Sequence, residues 1–400
     1  MQGRGLLSTF VTTDKASLCP SLPANYFSFE AINGHNPWLD VLRAIAVLLV
    51  LLRHGERAVI GLLPESTSPF QTFFLNGWVG VDLFLILSGY LIGKSLIKNF
   101  SKDNRIHVGQ FFRARALRII PAYFAILFLI ALGAFPFYTI SSENLVLRVI
   151  YHMLFLQDYL PADINVVFWS LGVEEKFYIL APLIAFTLVT LKRSTSAFLC
   201  LGLLFFLAPI FKTLKFLQLD TTLDYLHFFE DFRSPFHLSL EPLIIGFAIG
   251  YAEIRKKFSL TKRQSKWLFL FTAITSTLFL FSHEFLSQFS LWDMTGQPIT
   301  LALLFGTLVL TATHMTHINV WAEPVWRFVS RLSYSLYLIH FALIPLTLVL
   351  ASIITPLLFW PLYILFSFGG ALLLHFLVEK PFLILKDRKK TMPVGDALKV

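Results

Sequence analysis

Charge is what this sequence has least of. Only 14% of its 400 residues are Asp, Glu, Lys or Arg, against roughly 25% in an ordinary soluble domain. A soluble chain of this length would form about two or three cores, each needing a charged surface. That class is excluded. Cysteine is equally scarce. Cys19 and Cys200 supply neither a disulfide framework nor metal-ligand spacing, so no metal and no permanently bound cofactor are expected. The first 35 residues lack the apolar run of a signal peptide and are rich in Ser, Thr, Pro and Asn. They read as a polar tail. No internal repeat of a transporter kind is visible.

What the chain does have is apolar bulk. Hydrophobic residues make up 56% and aromatics 16%, with 43 Phe, 12 Tyr and 8 Trp. That is too apolar for disorder. The remaining class is an all-α polytopic membrane bundle, its outer surface facing lipid. Hydropathy predicts about ten spans, near 38–58, 73–93, 119–137, 168–190, 197–211, 238–254, 267–283, 298–315, 331–350 and 357–378. Prolines such as Pro64, Pro161, Pro235, Pro298 and Pro356 punctuate their ends. The organisation expected is a tail over 1–35, a membrane domain over 36–382 and a basic tail over 383–400. The net charge is +9. In a membrane protein such an excess records topology rather than nucleic acid, because cytoplasmic loops are enriched in Lys and Arg. Placing both termini inside puts 25 of the 33 basic residues on that side, so the chain is expected to be N-in and C-in.

Ionisable groups inside spans are costly, and each is a site candidate. The first span, WLDVLRAIAVLLVLLRHGER, carries Arg43 and His54. Eleven residues apart, they fall within about 20° on one helix face and about 16 Å apart along the axis. Arg43 reads either as a site residue or as the ion-pair partner of a carboxylate such as Asp82. Asp82, in GWVGVDLFLILSGYLIG, reads equally as structural or functional; Ser88-Gly89 after it permits close helix approach. In FFRARALRIIPAYF, Arg113, Arg115 and Arg118 cluster at the mouth of the third span, and Arg115 and Arg118 are helical neighbours. A paired guanidinium fork there suits a phosphate ligand, or a lipid headgroup. The fourth span opens VVFWSLGVEEKFYILAP and crowds Trp169, Ser170, Glu174, Glu175, Lys176 and Tyr178 together. Glu174 and Tyr178 share a face, and a Glu at membrane depth can orient a histidine. Glu175 and Lys176 read as a solvated interfacial pair. His237, Glu241, His314, His340, His375 and Glu379 are scattered singly and are expected to be structural.

These residues carry a resemblance. LDVLRAIAVLLVLLRH, GVDLFLILSGYLI, the Arg115-x-x-Arg118 pair with Pro121, WSLGVEEKFY, LSYSLYLIHF and VEKPF occur in order from about Asn36 to Phe382. The chain resembles the acyltransferase-3 family of integral-membrane O-acyltransferases, as a membrane domain without the hydrolase-like domain fused to some relatives. The resemblance implies an acyl-CoA co-substrate, usually acetyl-CoA. It implies a glycan or lipid-linked sugar acceptor across a bacterial inner membrane. Carried over by position, His54 is the essential histidine, Arg43 its partner, Arg115 and Arg118 the cytoplasmic pair, and Glu174 the glutamate of W-S-L-x-x-E. One stretch departs. Many relatives carry His-x-Arg-x-Asp where this chain has His237, Ser239 and Glu241.

The expected chemistry has His54 as general base toward a sugar hydroxyl, Glu174 orienting it, Arg43 steadying the oxyanion, and Arg115, Arg118 and Arg113 holding CoA. Asp82, Ser88, Trp169, Ser170 and Tyr178 are expected to support substrate or structure. An acyl-histidine route competes with direct transfer. The rival class is a proton-coupled transporter or flippase of a polar envelope precursor, since buried charges along a path would serve that too.

Overall fold

The chain turns helical at Asn36 for local reasons. Asn36 has an extended backbone, and its side chain accepts from the Trp38 amide at 2.9 Å. Pro37, with its preset φ, opens the first turn. The Asn36 amide also donates to the Ala312 carbonyl, and Ser330 Oγ donates to Asp40 at 2.6 Å. The start of this helix, α1 (Pro37–Val59), is thus tied to two distant parts of the chain. The computed structural model describes residues 36–60, 69–191, 193–219, 224–282, 284–285, 289–315 and 322–388. The 1–35 tail with Cys19, Pro64, Lys192 and residues 389–400 of the basic tail lie outside the described residues.

After α1 come α2 (Pro69–Leu75), α3 (Gly80–Asp103), α4 (Val108–Ala131), α5 (Leu145–Met153), α6 (Trp169–Thr190), α7 (Ser194–Phe216) and a single turn, α8 (Tyr225–Phe228). Then follow α9 (Glu241–Ile254), α10 (Lys262–Ser282), α11 (Gln297–Thr313), α12 (Glu323–Ile339), α13 (Ile344–Ile354), α14 (Phe359–Leu374) and α15 (Lys380–Arg388). No strand occurs among the described residues, and the fold is all-α.

Six helical runs among the described residues are long and apolar enough to cross a membrane. They are Phe70–Lys102, Val108–Ala131, Ser194–Phe216, Lys262–Ser282, Trp292–Thr313 and Pro356–Lys386. A seventh forms if α12 and α13, bent by 59° at their junction, count as one broken span. The expected ten is not reached on this measure. The other three expected segments are helices, but α1 carries Asp40, Arg43, Arg53, Glu56 and Arg57, α6 carries Glu174, Glu175 and Lys176, and α9 has 14 residues. Their residues are mostly buried. The charges on these helices therefore meet protein rather than lipid. Lipid-type surface, with large apolar side chains exposed, lies on α7 (Leu199, Leu203, Phe206), on α10 (Phe271, Ile274, Leu278) and on the later turns of α6 (Ile179, Leu183, Phe186).

Two glycine pairs set the packing of α3 on α9. Gly89 and Gly93 on α3 face Gly246 and Gly250 on α9. A methyl at Gly89 would run into the Leu243 carbonyl, and one at Gly246 into the Ile86 carbonyl. Small residues four apart on both helices let the backbones touch, which is how helices associate where no hydrophobic force separates protein from lipid. α1 packs on α3, α11 and α12, and so sits at the centre of the bundle.

Candidate active site

Two chambers lie along the buried face of α1. The first is partly open to solvent, spans about 740 Å³ with that open space included, and is lined by Arg43 from α1, Ser88 from α3, Arg115 and Arg118 from α4, Ser170, Glu174 and Tyr178 from α6, and tyrosines of α12. The second spans about 550 Å³ on the same measure and is lined by Arg53, His54, Trp78, Trp169, Tyr225 and Arg233. We call them the basic and the aromatic chamber. Val81 and Tyr337 line both. Tyr337 is fixed there, donating to the Val167 carbonyl at 2.8 Å and accepting from Ser170 Oγ at 2.6 Å.

In the basic chamber, helix periodicity decides which arginines converge. Arg115 and Arg118 are about 60° apart around α4 and both line the cavity, whereas Arg113 is about 160° from Arg115. Arg113 is exposed and outside the chamber, contrary to its expected role. Arg115 lies over the Phe111 and Tyr178 rings, 5.6 and 5.5 Å from their centroids. Among the described residues, neither Arg43, Arg115 nor Arg118 forms an ion pair. Glu174 faces the same cavity but accepts from Ser88 Oγ and from the Tyr178 hydroxyl. The chamber therefore holds three guanidiniums and one carboxylate that two hydroxyls already engage. An anion is the ligand such a cavity favours.

The aromatic chamber holds His54. Its Nδ1 lies 2.9 Å from His340 Nε2, and His340 Nδ1 lies 2.9 Å from the Leu336 carbonyl. A carbonyl only accepts, so neutral His340 carries its proton on Nδ1 and leaves Nε2 as an acceptor. His54 therefore donates from Nδ1, and its Nε2 keeps a free lone pair. Phe341 packs edge-on to the His54 ring at 5.1 Å. Asp82 takes Arg233 in a two-pronged pair at 2.9 and 3.0 Å. The Arg233 guanidinium sits between Trp78 and Trp169, 4.8 and 5.0 Å from their centroids.

Several expectations change. Glu174 does not orient His54; it belongs to the other chamber, and His340 holds the imidazole. Arg43 is not paired with Asp82, because Arg233 takes both carboxylate oxygens. Arg43 and His54 share a helix face but not a cavity, since the 11-residue rise separates them. Glu175 and Lys176 are not a pair. Lys176 binds Asp158 and the Phe155 carbonyl, while Glu175 Oε1 is buried without a hydrogen-bond partner among the described residues. Trp169 and Ser170 are adjacent in sequence and fall in different chambers. The scattered groups are satisfied locally: His237 by Tyr159, Glu241 by Lys212, His375 by Glu379. His340 is the exception among the single histidines. Sequence reasoning gave it only a structural role, and singled out neither Arg53 nor Arg233. The stretch LSYSLYLIHF was the available signal.

The chain was compared with known proteins on this footing. The acyltransferase domain family matches residues 36–376. The chain is 25% identical over 341 residues to a protein named peptidoglycan O-acetyltransferase OatA from Listeria monocytogenes, covering 80% of this chain and 51% of that protein. It is 29% identical over 164 residues to O-acetyltransferase OatA of Staphylococcus aureus strain NCTC 8325, covering 37% of this chain and 24% of that one. The chain spans about half the length of the curated relatives it matches most extensively. No solved structure matches it significantly. A family match across nearly the whole helical region, on a chain whose buried charges form two adjoining chambers, makes this multi-pass membrane protein a member of the acyltransferase-3 family.

Proposed function

We propose that the chain moves an acetyl group from cytoplasmic acetyl-CoA to a hydroxyl of an extracytoplasmic envelope glycan. The observation that carries this is the convergence of Arg43, Arg115 and Arg118, none ion-paired among the described residues, in a chamber that adjoins a histidine. Those guanidiniums suit the phosphates of CoA. The bias of Lys and Arg toward one side supports an orientation with both termini inside and the basic chamber at the cytoplasmic face of an inner membrane. The pantetheine arm would then run past Val81 and Tyr337 toward His54.

The chemistry follows from the tautomers. A sugar hydroxyl oxygen attacks the thioester carbonyl carbon while His54 Nε2 takes its proton. The C–S bond breaks, and the departing thiolate recovers that proton from His54. The products are the acetyl ester and free CoA thiol. His340 keeps His54 in the productive tautomer and accepts from its Nδ1–H throughout. Arg43 is a ligand for the donor in this reading, not an oxyanion stabiliser. Glu174 tempers the positive charge of the donor chamber and holds Tyr178.

The test is thermal stability of the purified protein with CoA. CoA should stabilise the wild type, and Arg115→Ala with Arg118→Ala should remove that shift. No shift in the wild type would sink the donor assignment. Rapid mixing with radiolabelled acetyl-CoA and no acceptor separates the routes, because trapped label on His54 would replace direct transfer by an acyl-enzyme.

A further inference from the structure

The aromatic chamber contains a charge that the transfer step does not use. Arg53 is only 7% exposed, and it lines the same cavity as His54. Among the described residues it forms no ion pair and no hydrogen bond; its guanidinium lies 6.0 Å from the Tyr225 ring centroid. Its counterpart across the chamber is different. Arg233 is neutralised by both oxygens of Asp82 and clamped between two indoles. Asp82 pairs with Arg233 and not with Arg53. Among the described residues, the chamber carries one buried guanidinium whose two-pronged donor edge is unused. A charge taken out of water without a partner is unfavourable, and it is retained where a ligand completes it.

Resting on the acyl-transfer reading, we infer that Arg53 binds an anionic group on the acceptor, so the acceptor is a sugar bearing a carboxylate or phosphate beside its reacting hydroxyl. The placement supports this. Arg53 and His54 are consecutive, about 100° apart on α1, and both face the chamber. An anion on Arg53 would hold the sugar so that a neighbouring hydroxyl meets His54 Nε2. The walls are Trp169 and Tyr225, flat apolar faces that suit the C–H faces of a pyranose ring. The planar guanidinium accepts a carboxylate or two phosphate oxygens in parallel.

Matched sugars test this. Protein in phosphatidylcholine nanodiscs is titrated calorimetrically with galacturonic acid, galactose and galactose 1-phosphate, and release of CoA thiol from acetyl-CoA is followed with each. The wild type should bind an acidic sugar about tenfold or more tightly than galactose. Arg53→Gln should erase that preference, and Arg53→Lys should keep part of it. Equal binding of acidic and neutral sugars by the wild type overturns the inference, as does a preference that survives Arg53→Gln. If the preference appears in phosphatidylcholine but vanishes in phosphatidylglycerol nanodiscs, a lipid headgroup owns Arg53 and the inference is again overturned. Arg53-dependent binding without thiol release from any sugar would leave this subsite standing and sink the acyl-transfer reading. Thiol release indifferent to sugar charge would do the reverse.

Discussion

In the proposed reaction, His54 acts through the ring edge it does not share with His340. That makes the second histidine a positioning residue with a distinct signature. Replacing His340 with Gln keeps an acceptor near the Nε2 position, whereas Leu removes it. His340→Leu should lower kcat by about 10²-fold with KM for acetyl-CoA unchanged, and His340→Gln should recover much of the loss. Equal losses in both would assign His340 to packing alone. His54→Ala should abolish transfer with membrane insertion intact, measured as acetylation in cells expressing equal protein. Asp82 belongs to a different class. Its pair with Arg233 is almost fully buried, so Asp82→Ala leaves a lone guanidinium and should cost about 3–5 kcal/mol of stability. At this scale the sequence was legible where spacing spoke: Arg115 with Arg118, and Glu174 with Tyr178. It was silent where partners are far apart in the chain. Nothing local says that His340 meets His54, because 286 residues separate them.

Helices, not single side chains, determine which of these groups meet. The three helices that carry the most site charge, α1, α4 and α6, are joined by α3 and α12 into one wall around the basic chamber. α3 can lie there only because its glycines let α9 come into backbone contact. Gly246→Val should therefore force α3 and α9 apart and disturb the chamber wall that α3 forms. The expected outcome is a loss of at least about 1–3 kcal/mol of stability, read as a lower thermal midpoint, together with weaker CoA stabilisation although no ligand touches Gly246. Gly202 has no atoms near its missing Cβ, and Gly202→Ala should change neither. The small pair Ser88-Gly89 could be recognised in the sequence as a close-approach signal; its partners on α9 could not, since a glycine in an apolar run carries no address. The prolines read as end markers are so placed: Pro235, Pro298 and Pro356 open helical turns and Pro161 lies in a loop. Proline is not a marker by itself, since Pro121, Pro182 and Pro209 lie inside α4, α6 and α7.

For the whole molecule, the low charge fraction was enough to read an all-helical membrane bundle, and the order of motifs was enough to read the family. The division into two chambers was not readable, because it depends on where helices from five parts of the chain end up in depth. At this scale the prediction concerns the product. Mass spectrometry of envelope glycans from a deletion strain should show one sugar losing acetyl, and on the inference above that sugar carries an acidic group. Loss from a neutral sugar only would keep the enzyme and remove the subsite.

The wall made by Val81 and Tyr337 has a further consequence. In the proposed orientation it separates a cavity facing the cytoplasm from one facing outward, and so lies across the membrane's electrical field. Moving one proton through 100 mV releases about 2.3 kcal/mol, so two polar cavities end to end invite a leak. The Tyr337 hydroxyl is occupied by the Val167 carbonyl and Ser170, which keeps it from relaying protons between the chambers. Tyr337→Ala in liposomes should then raise passive proton flux even with no acetyl-CoA present. The residue that separates donor from acceptor is, in these terms, an insulator, and its failure would fall on the energy of the cell before it fell on the reaction.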